Sequence, residues 1–190
     1  MIVLASSSPR RTQLLDMLDI AHEVEPAGVE EAIADGESPS EAVVRLAREK
    51  AATVAKRRSG MAVLAADTIV VLEGRILGKP ESVEDARRML SELSGRSHQV
   101  MTGVALARGE AVAARLDVTT VTFRELASGF IDDYLATGEP LDKAGAYGIQ
   151  GYGAALVEKI EGDFFSVMGL PVRLVLDLMD EAGIHYRFTR

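Results

Sequence analysis

MIVLASSSPRRTQLL, residues 1–15, is the stretch from which the fold is read. Ile2 to Ala5 is short, apolar and rich in strand formers, whereas Leu14, Leu15 and Leu18 recur at helical spacing, so the stretch reads as strand, tight loop, helix. Ser8 takes the N-cap position and Pro9 the first helical position, where a missing N–H costs nothing. Arg10 and Arg11 then set two permanent positive charges in a first turn that favours Asp or Glu. Orphan amides, the positive end of a helix and two guanidiniums at one point call for an external anion. A solvated arginine pair on a surface helix is the competing reading.

Outward from that junction, strands and helices interleave. Ala21 to Glu31 is extended and ends in the acidic pair Glu30 and Glu31. Ser38, Pro39 and Glu41 form a capping box with proline at the first helical position, and Val43, Val44, Ala47, Ala51 and Val54 supply an apolar face to about Lys56. Met61 to Ala66 is a continuous apolar run, interrupted by Asp67 and Thr68 before Ile69 to Leu72 resume it. A lone carboxylate there is expensive to bury unpaired, so Asp67 is expected at a strand end or bulge that opens on a cleft. A short strand, Arg75 to Leu77, leads into Gly78-Lys79-Pro80, and Ser82 caps a helix to about Leu93. Two long strands, Gln99 to Ala107 and Val112 to Phe123, are joined by the hairpin signal Arg108-Gly109-Glu110. Ser128 to Ala136 reads as a helix, the glycine-rich stretch Glu139 to Ala154 as loop, and Ala155 to Ile160 as strand. Pro171 starts a last helix ending near Gly183, and Ile184 to Phe188 is expected to be a final strand. Interleaving with a central hairpin predicts an α/β fold with a mixed sheet.

The 190 residues, 47% of them hydrophobic, can fill one sizeable core, so residues 1–190 are expected to form a single domain, with room for two lobes. The absence of cysteine excludes disulfides and thiolate metal sites. The N-terminus starts a strand without a basic leader, and no stretch reaches about eighteen apolar residues, so a soluble, cytoplasmic chain with no membrane partner is expected. A net charge of −8 argues against nucleic acid, which demands a basic surface field. It leaves a small anionic ligand open, since charges beyond roughly 10 Å are largely screened at 0.1 M salt.

Two familiar phosphate motifs fail. Gly74 to Pro80 has one spacer too few for a P-loop and puts proline where a hydroxyl should hold magnesium, and Gly145 to Gly153 does not make a dinucleotide fingerprint. His22, His98 and His185 lack ligand spacing and read as structural or surface residues. What remains is a set of charges at element ends: Arg10, Arg11, Glu30, Glu31, Lys50, Asp67 and Lys79. Taken singly, Glu30, Glu31 and Lys50 read as solvated and Lys79 as a turn residue, with Asp67 the exception by its apolar context. Together their types suit a nucleoside triphosphate, which carries about four negative charges and a divalent ion. Glu30 and Asp67 offer the oxygen ligands magnesium prefers.

ASSSPRR at Ala5 to Arg11, LAREKA at Leu46 to Ala51, AADT at Ala65 to Thr68, LGKP at Leu77 to Pro80, TGVAL at Thr102 to Leu106, DKAGAYGIQG at Asp142 to Gly151 and MGLP at Met168 to Pro171 resemble the Maf family of nucleoside triphosphate pyrophosphatases. These segments run in order across nearly the whole chain. The resemblance implies an ITPase-like fold, a mixed elongated sheet flanked by helices, with two lobes and a central cleft. It also implies a divalent metal, Mg2+ or Mn2+, and hydrolysis of a triphosphate to monophosphate and pyrophosphate, a house-cleaning role in nucleotide pools. Ser6, Arg10, Glu30, Lys50, Asp67 and Lys79 fall on positions the family uses around the triphosphate, with Arg11 beside them. Asp67 is the proton acceptor for water in that scheme; the assignment in which Glu30 is the base and Asp67 holds the metal stays open. Which of Glu30 and Glu31 faces the site stays open too.

Arg10, Thr68 and Gln150 match the dTTP/UTP group, whereas the 7-methyl-GTP group carries Trp, Gln and Glu there. An amide such as Gln150 can both donate to and accept from a pyrimidine edge. Ser166 departs from the Asn common in the family. A homodimer is a family-level expectation. A nucleotide-binding regulator of septum formation is the alternative from another class, and the presence of Asp67 favours the enzyme.

Overall fold

In a computed structural model, which describes residues 1–34 and 36–188, the chain forms a seven-stranded mixed sheet with helices. The elements are β1 (Ile2–Leu4), α1 (Pro9–Met17), β2 (His22–Val24), α2 (Pro39–Arg57), β3 (Ala62–Leu72), β4 (Arg75–Leu77), α3 (Val83–Leu93), β5 (Ser97–Arg108), β6 (Ala111–Phe123), α4 (Ser128–Ala136), β7 (Val157–Glu161), α5 (Phe164–Met168) and α6 (Val172–Glu181), with three short 3-10 segments between Glu139 and Leu156. The sheet order is β2-β1-β3-β5-β6-β7, with β4 paired to β3. β1 runs parallel to β2 and β3, while β4 on β3 and β7 on β6 are antiparallel. The expected α/β class with a mixed sheet is what the chain adopts.

The chain divides into two compact units. The first comprises residues 1–67, 102–117 and 169–190. Beside large buried residues such as Leu4, Leu15, Leu46 and Leu64, its core holds a cluster of small side chains, among them Val3, Ala5, Ala47, Ala51, Val63, Ala65, Ala105 and Ala107. Small residues on both faces bring helix α2 down onto the strands. Gly103 of β5 completes that fit, because a Cβ there would collide with the backbone carbonyl of Val43. α2 starts at the expected capping box: Ser38 Oγ accepts from the Glu41 amide at 3.3 Å, and Glu41 returns a bond to the Ser38 amide at 3.1 Å.

The second unit comprises residues 68–101 and 118–168. Its core uses larger side chains, including Leu72, Leu77, Met89, Leu90, Leu93, Phe123, Tyr134, Tyr147 and Leu156. His98, on β5, lies within it, 2% exposed, edge-on to Phe123 and Tyr147 and bonded through Nε2 to the Tyr147 hydroxyl at 2.8 Å. Burial lowers its pKa to about 4, so it is a neutral core residue.

Three expectations change. Asp67 is neither at a strand end nor in a bulge but inside the unbroken strand β3. Ile184 to Phe188 forms no strand. The glycine-rich stretch Glu139 to Ala154, expected as loop, carries 3-10 turns at Glu139–Asp142, Ala144–Ala146 and Gly151–Leu156. A further short helix, Phe164 to Met168, starts where Asp163 Oδ1 accepts from the amides of Phe165 at 2.8 Å and Ser166 at 3.3 Å.

Candidate active site

The first unit gathers five of the singled-out side chains. α1 begins as expected, with Ser8 at the N-cap and Pro9 at the first helical position, but the Ser8 side chain does not cap it. Instead the Ser8 amide donates to Ser6 Oγ at 3.1 Å. Arg11 Nη1 donates to the same oxygen at 3.0 Å, and Arg11 Nε donates to the Gly169 carbonyl at 2.8 Å. One guanidinium thus joins ASSSPRR to MGLP. Desolvation lowers the Arg11 pKa, as does the adjacent Arg10, while the charges of Asp67 and Glu31 raise it. Arg11 thus answers to two carboxylates of the chain itself, where the first-turn arginines were expected to call for an external anion.

Lys50 lies on the buried face of α2, in helical register with Val43, Leu46, Ala47 and Val54. It is 7% exposed, not solvated as its single-residue reading had it. Its Nζ donates to Asp67 Oδ1 and to Glu31 Oε1, both at 2.5 Å. Asp67 is 6% exposed. Desolvation raises its pKa, against the opposing pull of Lys50 and Arg11. A carboxyl shifted this way is a better proton acceptor than an exposed aspartate, and it stays in place because an ammonium holds it.

Glu31, and not Glu30, is the acidic residue on Lys50, although both are exposed. The segment that carries Glu31 is held to α2 by Arg45, which sequence reasoning missed. Its guanidinium bonds both Glu37 oxygens at 2.7 Å, Glu49 at 3.1 Å and the Ala32 carbonyl at 2.9 Å. The bidentate bond to Arg45 holds the Glu37 pKa at about 2.

Thr68, Lys79 and Gln150 belong to the second unit. Thr68 follows Asp67 along β3 and is half-buried. Lys79 is exposed in the turn after β4, and Gln150 is exposed in the glycine-rich stretch. There the Gly145 amide donates to the Gly78 carbonyl at 3.0 Å, joining DKAGAYGIQG to LGKP. Ser166 is fully buried on α5.

Among the described residues no three His, Asp or Glu side chains cluster as a ready metal cage. Glu31 and Asp67 nevertheless present two carboxylates around one ammonium. Magnesium is commonly held by one or two carboxylates together with substrate phosphates, so this donor set fits such an ion.

Within each unit, then, segments far apart in sequence meet: Arg11 with Gly169, Lys50 with Asp67, Gly103 with the backbone of α2, Gly78 with Gly145. The chain is also similar in sequence to known proteins. The chain is 52% identical over 187 residues to a dTTP/UTP pyrophosphatase of Anaeromyxobacter sp. (strain Fw109-5), covering 96% of this chain and 89% of that protein. It is 47% identical over 187 residues to one from Halalkalibacterium halodurans, with 98% of each covered, and 51% identical over 184 residues to one from Thermotoga maritima, with 96% and 89% covered. Among solved structures, the Staphylococcus aureus Ham1 protein matches with a TM-score of 0.40 at 18% identity, over 82% of this chain and 79% of that one. The model of the Maf-like protein family matches residues 1–182, and by that match, over almost its entire length, the chain belongs to the Maf family.

Proposed function

We infer that this protein is a nucleoside triphosphate pyrophosphatase that hydrolyses dTTP and UTP, and modified pyrimidine triphosphates with them, to the monophosphate and pyrophosphate. Relatives about half identical over most of the chain carry that activity in their names. The observation that carries the chemistry is the buried Lys50 shared between Asp67 and Glu31, with the Arg11 guanidinium coupled to both carboxylates.

In this reading Asp67 takes a proton from the attacking water, which adds across the anhydride between the α- and β-phosphoryl groups. The nucleoside monophosphate and pyrophosphate separate as products. Lys50 keeps Asp67 ionised and oriented. Arg10 and Arg11 meet the triphosphate charge, Ser6 is held by Arg11 at the mouth of the same turn, and Lys79 adds a cation from LGKP. Asp67 and Glu31, the latter in the place first given to Glu30, are the residues that would hold a divalent ion. That ion, Mg2+ or Mn2+, would neutralise phosphate charge when bound. Thr68 and Gln150 are assigned to the pyrimidine. A single-domain chain acting in the cytoplasm as a homodimer completes the proposal.

The test is to incubate the protein with dTTP, UTP, 7-methyl-GTP and purine triphosphates in Mg2+ or Mn2+ and identify the products by phosphorus NMR. Monophosphate and pyrophosphate from dTTP and UTP support the reading. Orthophosphate and diphosphate contradict the bond assigned, a preference for 7-methyl-GTP contradicts the subgroup, and binding without turnover supports the regulator instead.

A further inference from the structure

The glycine-rich stretch of the second unit carries Gln150 on an arch, Gly148 to Gly153, whose neighbouring side chains face opposite ways: Ile149 is buried and Gln150 is exposed. We propose that Glu139 is the positioning residue of this arch, fixing Gln150 for base recognition through a carboxylate clasp. Glu139 Oε2 accepts from the Tyr152 amide and Oε1 from the Gly153 amide, both at 2.9 Å. Oε1 also accepts from the Tyr134 hydroxyl at 3.0 Å. That hydroxyl in turn accepts from the Gly148 amide at 3.3 Å, so both feet of the arch end on one carboxylate.

Gly151 has a φ of +69°, and a Cβ on it would run into Glu139 Oε2. A Cβ on Gly153 would run into the Gly148 carbonyl and the Tyr134 hydroxyl. The glycines therefore serve the clasp as well as the bend: they let a carboxylate and a phenol approach the backbone at hydrogen-bond range. Burial, and then the bond to Glu139, raise the Tyr134 pKa, so the phenol stays a donor. Lys143 Nζ donates to Asp142 Oδ1 at 2.6 Å and to the Glu139 backbone carbonyl, so this cation meets the main chain of Glu139. A carboxylate is the side chain that three donors require. The isosteric amide turns one acceptor into a donor facing an N–H.

This proposal rests on the assignment of Gln150 to the base, and the experiment separates the two. Glu139→Gln, Tyr134→Phe, Gln150→Ala and the double variant Glu139→Gln/Gln150→Ala are compared for kcat and KM on dTTP, UTP and dGTP. Amide hydrogen exchange across residues 148–153 is measured on the same proteins. The clasp predicts faster exchange at Tyr152 and Gly153 in Glu139→Gln. It also predicts a KM for dTTP raised roughly 10-fold, a kcat changed less than about 3-fold, and a dTTP-over-dGTP preference reduced toward that of Gln150→Ala. Tyr134→Phe moves the same way by less, and the double variant is no worse than Gln150→Ala alone. Unchanged exchange in Glu139→Gln overturns the clasp. An effective Gln150→Ala beside a Glu139→Gln with wild-type preference overturns the positioning role alone. A neutral Gln150→Ala overturns the base assignment and the proposal together.

Discussion

Lys50 Nζ stands 2.5 Å from Asp67 Oδ1, joining a helix and a strand 17 residues apart through two side chains that are each 9% exposed. Removing one partner strands the other, which is the costly way to break a buried pair. Lys50→Met is expected to destabilise the protein by about 3 kcal/mol in urea unfolding. Without the ammonium, only Arg11 is left to oppose the effect of burial on Asp67, and its pKa rises further. Because a proton acceptor must be ionised, activity grows with pH through that pKa, so the acid limb of kcat/KM shifts to higher pH in the variant. An acid limb at the wild-type position would show that Asp67 is not the titrating base.

Asp67→Asn keeps size and hydrogen-bonding reach but cannot accept the proton. Loss of a positioned general base predicts a fall in kcat of about 10^3 with KM changed only a few-fold. Steady-state kinetics with dTTP check this, and near wild-type turnover would remove Asp67 from the proposed role.

Glu30 and Glu31 offer a paired comparison one residue apart. Glu31→Gln removes a charge from Lys50 and is expected to lower kcat/KM by about 10-fold or more. Glu30→Gln, at an exposed position, is expected to stay within about 2-fold of wild type. Equal losses, or the reverse order, would return Glu30 to the site.

Gly103→Ala tests how the helix that carries Lys50 is seated. The added methyl meets backbone, which cannot rotate away, so a loss of roughly 2–4 kcal/mol is expected. Misplacing α2 also moves Lys50, and activity should fall more than the folded fraction does. Thermal melts beside rates per folded molecule distinguish the two effects.

His98 makes stability depend on pH. Its folded pKa of about 4 lies below the ordinary 6.5, so between those values the unfolded chain binds a proton that the folded chain does not. Stability therefore rises with pH across that window and is lost as pH falls through it, by up to about 3 kcal/mol. Urea unfolding at pH 7 and pH 4.5 should show a smaller drop for His98→Gln than for the wild type. Parallel drops would mean that other groups govern the acid side.

Local chemistry explains what the sequence revealed and what it hid. The strand, loop and helix of residues 1–17 and the Ser38 capping box were legible because turn and cap signals act within a few residues. Asp67 was misplaced at a strand end because its tolerance inside β3 comes from Lys50 on another element, which no local pattern displays. Lys50 itself left a readable trace: it falls in register with Val43, Leu46, Ala47 and Val54, and a charge on that face needs a partner. The choice between Glu30 and Glu31 turns on which neighbour faces α2, a matter of register that composition does not encode. The expected strand at Ile184 to Phe188 had suitable residues but pairs with no strand, and propensity without a neighbour makes no ladder. The Glu139 clasp was hidden because its partners are mostly backbone amides, which carry no letter in the sequence.

The Arg45 clasp divides labour around the ammonium of α2. Asp67 is anchored by the interior, whereas Glu31 is carried by a segment fastened at the protein's outer face, where dissolved ions compete for the same charges. Salt therefore reaches the Glu31 side of the ammonium through Arg45, Glu37 and Glu49, while the Lys50–Asp67 pair is shielded from it.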